Sequence, residues 1–164
     1  MASSKLVIGI LMAAGIALII AVPAMLILGL QPSMQASGGN ENLQPTVNIT
    51  IYAKELQNGK FGWGFSSDNI TSPGPILTFK VGDVVNATVF NVGKLPHAWR
   101  ITDSNATNAN VLFNAEVASG SSPLTPGASG STIFTVNKAG NYYYICPVPG
   151  HVQLGMWGKI IVQP

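Results

Sequence analysis

Apolar residues follow two different rhythms along this chain. From Leu6 to Leu30 they are continuous: LVIGILMAAGIALIIAVPAMLILGL carries no charge and no strongly polar side chain. From about residue 46 they alternate with polar residues instead. In TVNITIY, Val47, Ile49 and Ile51 are separated by Asn48 and Thr50, and ILTFKV, VVNATVFNV, HAWRIT, STIFTV, NYYYIC and GKIIVQ follow as further short runs. A period of two sends successive side chains to opposite faces of a strand. The clusters TSPGP, NVGKLP, SSPLTPGASG and NKAG separate the runs with turn-forming residues. No convincing amphipathic helix follows residue 30. The expectation is an all-β domain, an antiparallel sandwich or Greek-key barrel.

The continuous run is 25 residues long, about 37 Å as a helix at ~1.5 Å per residue. That spans a hydrocarbon core of roughly 30 Å with some tilt or a bend at Pro23. Residues 1–30 are therefore expected to form an N-terminal membrane anchor, a single transmembrane helix. A cleaved signal peptide is the rival reading, but the run exceeds a usual signal core and no good small-residue cleavage site follows it. Lys5 precedes the span and Glu41 is the first charge after it, which puts the N-terminus in the cytoplasm and the rest on the extracytoplasmic side. Residues 31–45, QPSMQASGGNENLQP, have no apolar period and read as a flexible tether with a reach of roughly 20 Å. Residues 46–164 form the outer domain, large enough for one core without disulfides.

Composition narrows the chemistry. The whole chain has one cysteine and two histidines. A single cysteine outside the cytoplasm makes no intramolecular disulfide, which leaves an intermolecular bridge, a reactive thiol, a metal ligand or a buried filler. Taken singly, a loop histidine is more often a surface residue and a methionine more often core. Yet the cysteine, one histidine and a methionine fall within CPVPGHVQLGM, with four residues between Cys146 and His151 and four between His151 and Met156. The alternation of NYYYIC lets Cys146 end a strand with its sulfur inward. PVPG and VQLG each turn the chain, so that His151 and Met156 return to the same point.

Thiolate, imidazole and thioether together form a soft donor set. Zinc takes Cys and His but has little use for Met, so copper is the better match. The remaining histidine, His97 in NVGKLPHAWRIT, stands where a turn enters a strand. Two histidines and a cysteine with a weak axial methionine are the ligand set of electron-transfer copper sites.

At these residues the chain resembles the cupredoxins, the blue copper proteins. GNYYYICPVPGHVQLGMWGKIIV is similar to the family's ligand segment. PGPILTFKVGDVVNATVFN is similar to its earlier segment, where a Gly-Asp turn joins two strands and an Asn precedes the first histidine loop. The resemblance covers most of residues 46–164. The spacing on both sides of His151 is closest to the branch that holds rusticyanin and sulfocyanin, and the anchored N-terminus favours the sulfocyanin side. The resemblance implies a Greek-key β-sandwich with one type 1 copper near one end. It implies His97, Cys146 and His151 as equatorial ligands and Met156 as axial ligand. It also implies a one-electron carrier outside the cytoplasmic membrane, with a membrane cytochrome complex or terminal oxidase as partner. Many relatives place Asn or Ser directly after the first histidine; Ala98 here has no side chain to hydrogen-bond. Pro147 and Pro149 lack N–H groups, which leaves Val148 as the loop donor toward the Cys146 sulfur.

Other classes fit less well. Multicopper catalysis needs further histidine-rich sites, and a dinuclear copper site needs a second cysteine. A copper-free surface module has no need of four ligands. A soluble carrier would follow if the N-terminus were cleaved. Neither nucleic acid nor a small-molecule substrate is expected: the net charge is +2 and no basic cluster exists. Four N-x-[ST] sequons, at Asn48, Asn69, Asn86 and Asn105, are candidate glycosylation sites.

Overall fold

The computed structural model describes residues 43–164; the expected anchor and most of the tether lie outside the described residues. No helix among the described residues is long and apolar enough to cross a membrane.

Ten strands follow in order: β1 (Val47–Glu55), β2 (Phe61–Ser66), β3 (Asn69–Thr71), β4 (Leu77–Lys80), β5 (Val84–Asn91), β6 (Trp99–Thr102), β7 (Glu116–Val117), β8 (Ser129–Thr135), β9 (Gly140–Ile145) and β10 (Trp157–Gln163). They form two five-stranded sheets, ordered β3-β2-β1-β5-β8 and β4-β10-β9-β6-β7. The alternation that marks the strands in the sequence also sets their faces. On β5, Val85, Ala87 and Val89 are fully buried, while Asn86, Thr88 and Phe90 turn outward. On β10, Ile160 and Val162 point in, and Lys159 and Ile161 point out. Each fully buried Val or Ile contributes about 1.5–3 kcal/mol relative to exposure. The inward residues meet a central aromatic group in which the Trp63 and Tyr144 ring centroids lie 6.0 Å apart. The Tyr144 hydroxyl donates to the Pro75 carbonyl at 2.6 Å.

The sandwich is mixed rather than purely antiparallel. β1 runs parallel to β5, with Val47 opposite Val85 and Ala53 opposite Asn91, and β4 runs parallel to β10. Alternation reports which residues face inward but not the direction of the neighbouring strand, which connections of longer range decide. Three strands lack a legible pattern. FGWGFS (β2) has no polar alternation, and Phe61 to Gly64 are all buried. Its glycines press against β3, where a Cβ on Gly62 or Gly64 would run into the backbone carbonyl of Thr71 or Asn69. β3 and β7 are three and two residues long, too short to show a period.

Candidate metal centre

At one end of the sandwich, three side chains from two loops converge. Cys146 follows β9 directly and is fully buried, as is His97, while His151 is 7% exposed. His97 Nδ1 lies 3.2 Å from His151 Nδ1, and Cys146 Sγ lies 3.3 Å from the same His151 atom. All three donor atoms fall within 4.8 Å of one another. Among the described residues this is the cluster of His, Cys and carboxylate groups able to hold a metal.

The loop closes on itself through its backbone. The Cys146 amide donates to the Met156 carbonyl at 3.0 Å, and the Met156 amide donates to the His151 carbonyl at 3.0 Å. Met156 is fully buried in the same core cluster as Cys146. Gly155, with φ of 91°, makes the last turn in a conformation that side chains disfavour, and a Cβ there would strike the Ser72 hydroxyl. The backbone of Met156 is thus tied to that of Cys146 and His151, two of the three clustered residues.

The second histidine is held by its own set of ties. His97 and Leu124 exchange backbone hydrogen bonds at 3.1 and 2.7 Å. Buried Asn91 links the two segments: its Nδ2 donates to the carbonyls of Leu95 (2.8 Å) and Leu124 (2.9 Å), and its Oδ1 accepts from the Gly93 amide. This supplies the cross-loop connection that Ala98 has no side chain to make. Ala98 contributes through its backbone instead, its amide donating to Cys146 Sγ at 3.4 Å. Sequence reasoning assigned the sulfur's loop donor to Val148 alone; the amides of Ala98 and Val148 both favour the thiolate.

Two residues of the β1–β2 hairpin also reach the site, and no signal in their own sequence marked them. Glu55 Oε1 lies 3.0 Å from His97 Nε2. Phe61 packs its ring edge-on against both imidazoles, with centroids 4.6 Å from His151 and 5.9 Å from His97. A lone Glu at a strand end and a lone Phe at a strand start are commonplace, and only the pairing of β1 with β2 brings them to the histidines.

Electrostatics follow from enclosure. Burial pushes the Cys146 thiol up to about 11, against the pull of the Ala98 and Val148 amides and the Arg100 charge. Burial, aided by His97, lowers His151 to about 4. Burial also lowers His97, although Glu55 opposes it. Burial alone would raise Glu55, but the amides of Lys94, Glu55 itself and Leu95, with His97, outweigh it and hold this carboxyl below its ordinary value. Neutral imidazoles keep their lone pairs. A soft cation that displaces the thiol proton therefore finds two nitrogens and a sulfur with a buried thioether residue close by in the chain.

Residues 74–163 match the model of the copper binding proteins of the plastocyanin/azurin family. The chain belongs to this family. Its members are copper proteins of the blue, cupredoxin type, and the His-Cys-His cluster fits a type 1 copper. Among curated proteins the chain is similar to rusticyanin of Acidithiobacillus ferridurans, 38% identical over 94 residues, which are 54% of this chain and 50% of that protein. The chain spans about half the length of the curated relatives it matches first. Among solved structures, a methionine-to-glutamine mutant of rusticyanin aligns with a TM-score of 0.51 and 27% identity, over 71% of this chain and 78% of the other. Reduced auracyanin from Roseiflexus castenholzii aligns with a TM-score of 0.53 and 21% identity, over 74% of this chain and all of that one, which supports the fold.

Proposed function

We propose that this cupredoxin is a membrane-anchored carrier of single electrons, with copper held by His97, Cys146 and His151 and by Met156 as a weak axial donor. The observation that carries the reading is the convergence of two imidazole nitrogens and one thiol within 4.8 Å, sealed from water. Bound copper would supply a one-electron couple, Cu(II)/Cu(I). The chain's own residues supply a fixed, dry pocket. The two loops and the strand ends hold the donors in place, so that little rearrangement accompanies a change of charge. Similarity to rusticyanin supports this reading.

Electron exchange is assigned to the His151 end. Leu154, three residues on, is 41% exposed, and Leu95, two residues before His97, is 43% exposed. An apolar surface beside the histidine suits weak, brief docking, for which small interfaces suffice. The proposed partner is a membrane cytochrome complex or terminal oxidase, against which the tether would hold the domain at high local concentration. The domain is not proposed to be an enzyme, because two histidines cannot furnish further copper centres.

The anchor at residues 6–30 and the extracytoplasmic location rest on the apolar run and the single Lys5 before it. Protease treatment of spheroplasts should release a copper-containing fragment; a soluble mature protein starting near residue 37 would establish cleavage instead. Glycans are proposed at one or more of Asn48, Asn69, Asn86 and Asn105. Asn48, Asn69 and Asn105 are exposed, whereas Asn86 is half-buried and donates its Nδ2 to Asn48 Oδ1 at 3.2 Å. Mass spectrometry of the native protein tests them.

The test of the function itself is optical and kinetic. The copper-loaded full chain should show intense thiolate-to-copper charge transfer; a chemical reductant should bleach it, and stopped-flow mixing of the reduced protein with a membrane oxidase fraction in air should restore it. A colourless loaded protein would sink the carrier reading.

A further inference from the structure

Glu55 lies outside the family-matched segment and is not a copper ligand in this reading, yet its environment is organised around it. An imidazole has two ring nitrogens, and only one keeps its lone pair for a metal. His97 Nδ1 is the atom that faces His151, so Nε2 must carry the proton for Nδ1 to serve as a donor. The group beside Nε2 is the Glu55 carboxylate, with Oε1 at 3.0 Å. That carboxylate is itself fixed by the loop it helps to hold. The Lys94 amide donates to Oε2 at 2.8 Å and the Leu95 amide to Oε1 at 2.7 Å. The imidazole is fully buried and the carboxylate only 19% exposed, so water competes little for the contact.

Resting on the electron-carrier reading above, we propose that Glu55 is a positioning residue for the copper site: it accepts the Nε2–H of His97, fixes the tautomer that frees Nδ1, and places a negative charge one imidazole away from the metal. Carboxylates that hold a metal-bound histidine in this way orient the ring and raise its basicity. The charge has a second effect. An anion beside the centre favours the more positive oxidation state, so Glu55 holds the reduction potential down. The β1–β2 hairpin thereby takes part in setting the potential, although it contributes no ligand.

The experiment uses the full chain in detergent. In the copper-free protein, long-range proton–nitrogen NMR should show His97 as a single Nε2–H tautomer. Glu55→Ala should scramble it, with the backbone amide spectrum reporting that the fold persists. Glu55→Gln retains an acceptor for Nε2–H but removes the charge. It should stay blue while favouring Cu(I) by about tenfold or more at a fixed poise, which for a one-electron couple is a rise of 59 mV. Glu55→Asp keeps the charge but falls short of the ring; it should release copper to a chelator at least several-fold faster. A wild type that takes up no copper overturns the carrier reading and this role with it. A blue wild type whose His97 carries its proton on Nδ1, or whose potential is unmoved in Glu55→Gln, overturns the Glu55 role alone.

Discussion

The segment Cys146–Met156 and the hairpin formed by β1 and β2 meet at the same site but build it in opposite ways. The first is a short loop that carries a thiol, an imidazole and a thioether, the first two announced by rarity. It turns on Gly155 and bonds to itself through the amides of Cys146 and Met156. The second contributes ordinary residues, Glu55 and Phe61, which touch the histidines only because β1 and β2 pair in register, with Glu55 opposite Phe61. The donor atoms are local in sequence apart from His97; the groups that orient and enclose them are not. A metal site can therefore be recognisable from one segment and still owe its properties to another.

Variants at the two regions should separate those contributions. Cys146→Ala should have the largest effect, complete loss of the intense blue band, read directly in the visible spectrum. Retention of the band in that variant would remove Cys146 from the site.

Phe61→Ala tests the hairpin as a wall. Truncating a buried Phe costs roughly 3–5 kcal/mol. With 9% exposure, Phe61 belongs near the lower end, about 3 kcal/mol, seen as a lower urea midpoint. The ligand set remains, so blue colour should survive where the fold does. A midpoint within error of the wild type would mean that Phe61 is not part of the enclosure.

Acid should act on the copper-free domain through both regions at once. His97 and His151 have folded values below their ordinary 6.5, so the unfolded chain binds more protons as pH falls below about 6.5. Stability should fall from there toward about pH 4, the value for His151. Glu55 is also held below its ordinary 4.5, and its contribution is lost as pH falls below that value. Copper keeps the two histidines and the Cys146 sulfur unprotonated in the folded state while the unfolded chain takes protons up, so the loaded domain, more stable at neutral pH, should lose stability more steeply over pH 6.5 to 4. Parallel thermal melts of the two forms would show this; coincident pH profiles would argue against both histidines as ligands.

The remaining two effects are smaller. Met156→Leu should keep copper and raise the potential, because a weak donor that favours Cu(II) is removed; a lower potential would count against an axial Met156. Leu154→Asp should slow transfer to the membrane partner several-fold with the spectrum unchanged. If transfer instead falls steeply with added salt in the wild type, docking belongs to the exposed lysines Lys54, Lys60 and Lys94 on neighbouring segments.

What the sequence determined by itself was the class of the domain and the donor set. Alternation at Val85, Ala87 and Val89, and again at Ile160 and Val162, fixes which face of a strand is buried, because side chains on a strand have a period of two. The rarity of Cys and His singles out His97, Cys146 and His151 as candidate ligands, and the fold gathers their donor atoms within 4.8 Å of one another. Only the tertiary structure decided the parallel pairings, the burial of Gly-rich β2 against β3, the Ala98 amide on the sulfur and the approach of Glu55 to His97. Apart from the short-range β2–β3 pairing, these depend on contacts between residues roughly 40 or more positions apart in the chain. A strand's own pattern records that it has a buried face but not which strand lies beside it. A backbone amide leaves no mark in the residue type that carries it. The candidate donors were therefore legible in the sequence, and the groups that contact them were placed by the fold.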